Sequence, residues 1–265
     1  MENKRLIKVR TFAELASEGK TAEYLFWVGS AGSFDDRAKK ITRDFVKILE
    51  LAKVDYAVLG EEEVDSGDSA RRAGNEFLFQ MQAMQNIEIM NAYEIKKIIT
   101  CDPHDYNTLK NEYPDLDGKY ELIHHTEFIQ TLIEDGKIKV NASKFKNKTI
   151  TYHDPCYLGR GNDIYDAPRK VIEKTDATLV EMARTKSRAL CCGAGGAQMF
   201  KEPEKGDMEV FEMRTMDALE VNPEIIITAC PFCMTMLTDG IKLKEKEEQI
   251  QILDLAELVA KANGL

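Results

Sequence analysis

Glu224-Ile225-Ile226-Ile227-Thr228-Ala229-Cys230-Pro231-Phe232-Cys233 is the stretch that organises this chain. The apolar run ending at Thr228 has the length and continuity of a buried strand, and a helix is expected from Pro231 onward. Cys230 then follows a strand directly, and Cys233 falls in the first turn of a helix. An earlier stretch, Lys97-Ile98-Ile99-Thr100-Cys101-Asp102-Pro103-His104-Asp105, reads the same way, with Asp102 under Cys230, Asp105 under Cys233 and Cys101 under Ala229.

Working outward, strand alternates with helix along the whole chain. In the first half, strands are expected at residues 24–28, 56–59, 97–100 and 120–123, and helices at 34–52, 70–93 and 126–134, with 29–33 as a turn. In the second half, strands are expected at 149–152, 178–181, 224–228 and 251–253, and helices at 168–174, 209–220, from 231 and at 255–262. Such alternation implies an α/β protein with mainly parallel strands flanked by helices, built here as two tandem copies of one unit. Residues 1–22 read as an N-terminal extension, 23–145 as the first module and 146–265 as the second, joined in the polar stretch 141–148. The tails match as well: Leu122-Ile123-His124-His125-Thr126-Glu127 lies over Ile252-Leu253-Asp254-Leu255-Ala256-Glu257.

Superposing the halves sets Ser30 on Cys156, Asp65 on Cys191 and Ser66 on Cys192. The spacing supports this register, with 34 residues between Ser30 and Asp65 and 34 between Cys156 and Cys191. The first module keeps the scaffold of a site without its sulfur. In the second, ligands of parallel α/β units gather beyond the C-terminal ends of strands, which is where Cys156 and Cys230 fall. The glycines after Cys191-Cys192 let backbone approach a bulky group without a Cβ clash. A helix N-terminus favours Cys233 as thiolate. Cys156, Cys191, Cys192, Cys230 and Cys233 are thus expected to converge. Five soft ligands exceed the four that tetrahedral zinc takes, and a cluster of several irons accommodates them.

This pattern resembles the cysteine-rich CCG module, usually found in tandem. It is similar to catalytic subunits of heterodisulfide reductase and iron–sulfur subunits of glycolate, lactate and glycerol-3-phosphate oxidation systems. It is closer still to the C-terminal part of iron–sulfur oxidoreductases that work with electron-transfer flavoprotein. The resemblance implies that the five cysteines hold a noncubane [4Fe–4S] cluster, with zinc as the alternative known in some members. Members often carry cysteines in both modules. Ser30, Asp65, Ser66, Asp102 and Asp105 depart from that pattern, so one cluster is expected.

The 265 residues carry six cysteines and a formal charge of −10. That charge argues against nucleic acid, whose phosphates need clustered positive charge. No apolar run approaches the roughly 18–20 residues of a membrane span. Met1-Glu2-Asn3-Lys4-Arg5 has no apolar core behind it, so a cytoplasmic protein is expected, peripheral to a membrane only through a partner subunit. The expected role is an electron-carrying oxidoreductase subunit between a flavoprotein (electron-transfer flavoprotein or a flavin dehydrogenase) and a quinone-linked or further iron–sulfur partner. Direct disulfide or thiol reduction at the cluster, and a zinc-stabilised assembly subunit, are the alternatives.

Around the ligands, His153, Asp154 and Gly193 are candidates for a supporting layer or a proton route, strand-end hydrogen bonding being the plainer reading of the first two. Asp65, Asp102, His104 and Asp105 form a candidate hard-metal set, against polar replacements that bind nothing. His124 and His125 are read as ordinary loop histidines, Met81, Met84 and Met90 as core, Glu61-Glu62-Glu63 as a solvated loop and Cys101 as a free cysteine.

Overall fold

The computed structural model describes residues 7–202 and 205–265. After a short helix α1 (Phe12–Ser17), closed by a capping box between Thr11 and Glu14, the first repeat runs β1 (Tyr24–Trp27), α2 (Gly29–Phe34), α3 (Ala38–Leu51), β2 (Tyr56–Ala57), α4 (Asp68–Arg72), α5 (Glu76–Ala92), β3 (Lys97–Thr100), α6 (Pro103–Asn111), β4 (Glu121–His124) and α7 (His125–Glu134). The second runs β5 (Thr149–Tyr152), α8 (Gly159–Asn162), α9 (Asp166–Glu173), β6 (Thr178–Leu179), α10 (Val210–Leu219), β7 (Ile225–Thr228), α11 (Pro231–Leu243), β8 (Gln251–Asp254) and α12 (Leu255–Asn263).

Each repeat forms one four-stranded parallel sheet, ordered β2-β1-β3-β4 and β6-β5-β7-β8. The two orders are the same when the repeats are laid on each other. In both, the first and third strands are neighbours at the centre, so the segments leaving their C-terminal ends are brought side by side.

The repeats share one core. Phe26, Ile41, Phe45, Ile48 and Leu49 from the first pack in the same apolar cluster as Ile150, Tyr152, Leu255, Leu258 and Val259 from the second. The helix pairs are reciprocal: α3 lies on α12, and α9 lies on α7. The early helix of each repeat thus covers the final helix of the other. Arg37 and Lys40 both reach the buried Glu257 carboxylate, at 2.5 and 3.1 Å, and His125 Nε2 meets Asp254 Oδ1 at 3.0 Å. These polar ties, with the hydrogen bonds that join Asn162 to Asn107 and Asn111, fix the register of the seam.

Several expectations are corrected. The expected turn at 29–33 winds into α2, because the Glu63 carboxylate accepts the Gly29 and Val28 amides and starts a helix there. The helix expected from residue 34 begins at Ala38, whose amide donates to Asp35. The helix expected over 70–93 breaks into α4 and α5, with Gly74 at φ +86° and the Asn75 side chain capping Leu78 N–H; a left-handed glycine followed by an N-cap ends one helix and starts another. The strand expected at 56–59 keeps two residues, and Val58 turns to bridge Thr11.

Met81 and Met84 are not core: they are 53% and 60% exposed, with Phe77 at 76%, whereas Met90 is buried. Apolar residues surround α5, so periodicity alone does not mark its inner face, which is Phe79, Ala83, Ile87 and Met90. Among the described residues no helix is long and apolar enough to cross a membrane.

Candidate metal centre

The three pieces of chain that carry the cysteines meet at the C-terminal ends of β5 and β7. Cys156 sits four residues past Tyr152, the last residue of β5. Cys230 is the N-cap of α11 and Cys233 lies in its first turn, behind Pro231. Cys191 and Cys192 arrive on the loop between β6 and α10. That loop is braced by Asp154, whose carboxylate takes a bidentate bond from Arg169 (2.8 and 2.9 Å) and the amide of Lys186 (2.8 Å). Arg169 also holds Glu181. Asp154 is therefore engaged in strand-end hydrogen bonding, the plainer of its two readings.

The five cysteines gather in one neighbourhood. Cys233 Sγ lies 3.2 Å from Cys192 Sγ, Cys192, Cys230 and Cys233 form one buried cluster against which Cys191 packs, and Cys156 and Cys191 are near enough to shift each other's ionisation. Cys192, Cys230 and Cys233 are buried, while Cys156 and Cys191 are half-buried and form the more open side. Met199, Phe232 and Met236 pack with Cys191 around Cys192, Cys230 and Cys233. Gly193 donates its amide to Cys191 Sγ at 3.3 Å with φ +91°; a Cβ there would be strained and would press on Val210 at 3.3 Å. Cys101 is buried in the shared hydrophobic core, outside the sulfur cluster.

Crowded thiols cannot all ionise, and the site resolves this unevenly. Hydrogen bonds from Cys156, Cys192 and the Gly193 amide hold Cys191 far below the usual thiol range. Burial opposes ionisation of Cys230, yet hydrogen bonds from Cys233 and His104 hold it down at about 5. Cys156 and Cys192 are pushed up chiefly by their bonds to Cys191, and Cys233 is pushed up by burial and by Cys192 and Cys230. Ionisation is thus favoured at Cys191 and Cys230 and opposed at Cys156, Cys192 and Cys233, where a bound cation would displace the protons.

His153 is buried beside them. One of its ring nitrogens and the Cys192 and Cys233 sulfurs lie within 4.8 Å of one another, the one such grouping of three or more donors among the described residues. Burial and the Arg214 guanidinium push its value down to about 3, so the ring is neutral. Arg214 Nε donates to Nδ1 at 2.9 Å, which leaves the proton on Nε2. That buried N–H has no protein partner among the described residues. A neutral ring offering an unused donor beside crowded sulfurs suits an anionic, sulfur-rich group. Arg214, fully buried in α10, has no sequence signal of its own and was not among the expected site residues.

The first repeat keeps the geometry and spends it differently. Ser30 Oγ donates to Asp65 Oδ2 at 2.6 Å, where the second repeat pairs Cys156 with Cys191. Trp27 Nε1 adds a bond to Asp105 Oδ2 at 3.1 Å, and Asp102 caps α6 through the His104 amide. Asp105 is pushed up to about 7 by burial. Asp65, Asp102, His104 and Asp105 thus turn to protein partners rather than to a common point. Glu63, expected in a solvated loop, is folded inward against Val28 and Gly29. His124 and His125 are fully buried rather than in a loop: His124 caps α7, as Asp254 caps α12.

The sequence profile of the CCG cysteine-rich domain matches residues 24–110 and again 150–238. The chain belongs to the CCG cysteine-rich domain family. Its two CCG repeats are similar to part of the probable iron-sulfur-binding oxidoreductase FadF of Bacillus subtilis, with 47% identity over 96% of this chain and 36% of that protein. The EtfAB:quinone oxidoreductase of Syntrophomonas wolfei is 45% identical over 94% of this chain and 35% of its own length. A dihydromethanophenazine:CoB–CoM heterodisulfide reductase polypeptide of Methanosarcina barkeri is 35% identical over 92% of this chain and 60% of its own length. The CCG pair here therefore spans about a third of the first two relatives.

Proposed function

We propose that Cys156, Cys191, Cys192, Cys230 and Cys233 hold one iron–sulfur cluster, of the noncubane [4Fe–4S] type, and that this chain is the electron-carrying part of an oxidoreductase. The observation that supports the reading is the buried cluster of Cys192, Cys230 and Cys233 with Cys191 packed against it, Cys192 and Cys233 having their sulfurs 3.2 Å apart. A single tetrahedral zinc leaves one of five thiols over, whereas a multi-iron cluster uses all of them.

A bound cluster supplies reversible one-electron exchange. The protein's own contribution is to fix five sulfurs on two adjacent strand ends and to compensate their charge with the α11 N-terminus, Arg214 and the Gly193 amide. Burial of Cys192, Cys230 and Cys233 keeps water and oxidants from most of the site. Cys156 and Cys191 face the more open side, where a redox partner would approach. The donor is proposed to be a flavoprotein, electron-transfer flavoprotein or a flavin dehydrogenase, giving up one electron at a time. The acceptor is proposed to be a quinone-linked or further iron–sulfur subunit. The names of two relatives, an EtfAB:quinone oxidoreductase and an iron-sulfur-binding oxidoreductase, support this assignment. The protein would act in the cytoplasm, reaching a membrane through partner subunits.

Anaerobic purification or reconstitution, followed by iron, acid-labile sulfide and zinc analysis with an absorption spectrum, tests the reading. Four irons and four sulfides per brown, redox-active chain are expected. About one zinc on a colourless chain would replace the electron carrier with a zinc-stabilised assembly subunit. Turnover of a small disulfide by the isolated loaded chain would favour direct thiol chemistry.

A further inference from the structure

Helix α5 buries one face in the first repeat and leaves the opposite face bare. Phe79, Ala83, Ile87 and Met90 enter the core. On the other side Phe77, Met81, Met84 and Glu88 follow at spacings of four, three and four residues, which sets them in one line along the helix. All four are exposed. Only Glu76 and Glu88 of the 17 residues in α5 carry charge, in a chain that is 31% charged. Loss of charge with gain of methionine and aromatic rings is the composition of the buried centre of a protein–protein interface, and a bare apolar stripe of this kind marks an interaction site.

The two ends of the line differ in shape. Near its start Phe77 stands out from the surface, 76% exposed. Further along, Met81, Met84, Gln85, Ile87 and Glu88 border a recess of about 500 Å³ together with Leu116, which comes from the 3-10 turn at Tyr113–Leu116. The midpoint between Met81 and Met84 separates knob from recess. A second copy turned by 180° about an axis through that midpoint sets Met81 against Met84 twice. The same turn carries Phe77 of each copy over Glu88 and the recess of the other. A twofold contact needs a patch that complements itself in this way. The charge distribution points to the same occupant. At a formal −10 the copies repel over most of their surfaces, and the α5 line is a stretch where few charges meet. A face for a charged partner would carry the opposite charge beside its apolar centre, whereas here the flanking Glu76 is held by Arg71 at 3.1 Å.

We propose that two copies of this chain associate through α5 as an antiparallel helix pair, with Phe77 of each seated in the recess beside Met84 and Leu116 of the other. The stripe shares no residue with the cysteine cluster or the side chains packed on it, so the inference does not depend on what that site holds.

The test is sedimentation equilibrium with a reductant present, at about 0.15 M salt and at protein concentrations up to about 0.1 mM, on wild type, Met81→Lys, Phe77→Ala and Phe34→Lys. All three positions are exposed, so the fold should survive, which circular dichroism checks. Wild type should dimerise, with the dissociation constant raised by about tenfold or more in Phe77→Ala and about a hundredfold or more in Met81→Lys. It should be unchanged in Phe34→Lys, which alters an exposed apolar side chain away from the stripe. Combining Met81→Lys with Met84→Glu sets an ammonium of one copy against a carboxylate of the other, and should dimerise more tightly than Met81→Lys alone. A wild type that stays monomeric at the highest concentration overturns the proposal and leaves the stripe to a different partner. A dimer as tight in Met81→Lys and Phe77→Ala as in wild type, or one weakened equally by Phe34→Lys, overturns it too. A combined variant no tighter than Met81→Lys overturns the antiparallel register.

Discussion

Ser66 Oγ donates to Asp105 Oδ1 at 2.6 Å, at the two positions that Cys192 and Cys233 occupy 3.2 Å apart in the other repeat. An oxygen pair has replaced a sulfur pair in the same scaffold. The oxygen version is self-satisfied, because the donor and acceptor use each other, so it needs no ion to compensate buried polarity.

Asp105→Ala should therefore destabilise the protein without touching the cysteine site. It leaves the buried Ser66 hydroxyl and the Trp27 indole N–H without their acceptor, at about 1–3 kcal/mol for each group left unpaired. Urea unfolding of the metal-free protein reads this loss, and iron uptake per folded molecule should match wild type. A variant as stable as wild type would show that the oxygen pair does not hold the repeat together.

The first repeat should also make stability fall with rising pH. Glu63 is pushed up to about 8, by burial and then by the nearby Asp105 and Asp65 carboxyls, against the amides of Gly29 and Val28 that oppose the shift. Between its ordinary 4.5 and about 8 the native state keeps a proton that the unfolded chain has released. The unfolded state binds fewer protons there, so stability declines through that window and levels off above it. Glu63→Gln removes this share. Its stability relative to wild type should rise by roughly a few kcal/mol from the bottom to the top of the window; a constant difference would contradict the assignment.

Metal-free protein exposed to air should cross-link Cys192 to Cys233. Their sulfurs are 3.2 Å apart, and a disulfide of about 2.05 Å needs only a small further approach. Cys101 lies apart in the core with its thiol pushed well up by burial, so it should remain reduced. Non-reducing peptide mapping checks both statements, and a bridge to Cys101 would contradict them.

Serine substitution should sort the site cysteines from the remaining one. Changing any one of Cys156, Cys191, Cys192, Cys230 or Cys233 should lower bound iron and acid-labile sulfide several-fold, whereas Cys101→Ala should load as wild type does. The measurement is iron per folded chain after identical anaerobic reconstitution. Loss of iron in Cys101→Ala, or full loading in two of the five, would redraw the ligand set.

Much of the architecture can be read from residues because local and long-range signals agree. The run Thr149-Ile150-Thr151-Tyr152 is β-branched and aromatic, and β5 spans those four residues. Equal spacing in the two halves exposes the duplication, and the shared sheet order follows it. The five cysteines are legible because each lies near a strand end or a glycine turn. What escapes the sequence depends on burial or on contacts between repeats. Glu63 is set apart from Glu61 and Glu62 by facing the Val28 and Gly29 amides, which no composition rule marks. Met81 and Met84 look like core because the apolar residues of α5 are spread around the helix rather than gathered on one face. His104 sits in the repeat without the sulfur site, and its ring contacts with Tyr157 and Phe232 join residues from opposite halves of the chain, so no local pattern announces them.

The crossed helix pairing sets an order of events at the ribosome. The apolar face of α3 is covered by α12, so the nascent first repeat emerges with that face bare until residues 255–263 have been made. Domains usually mature one after another during synthesis; here the leading half must wait for the trailing one. The two repeats can thus close on each other only once residues 255–263 are available.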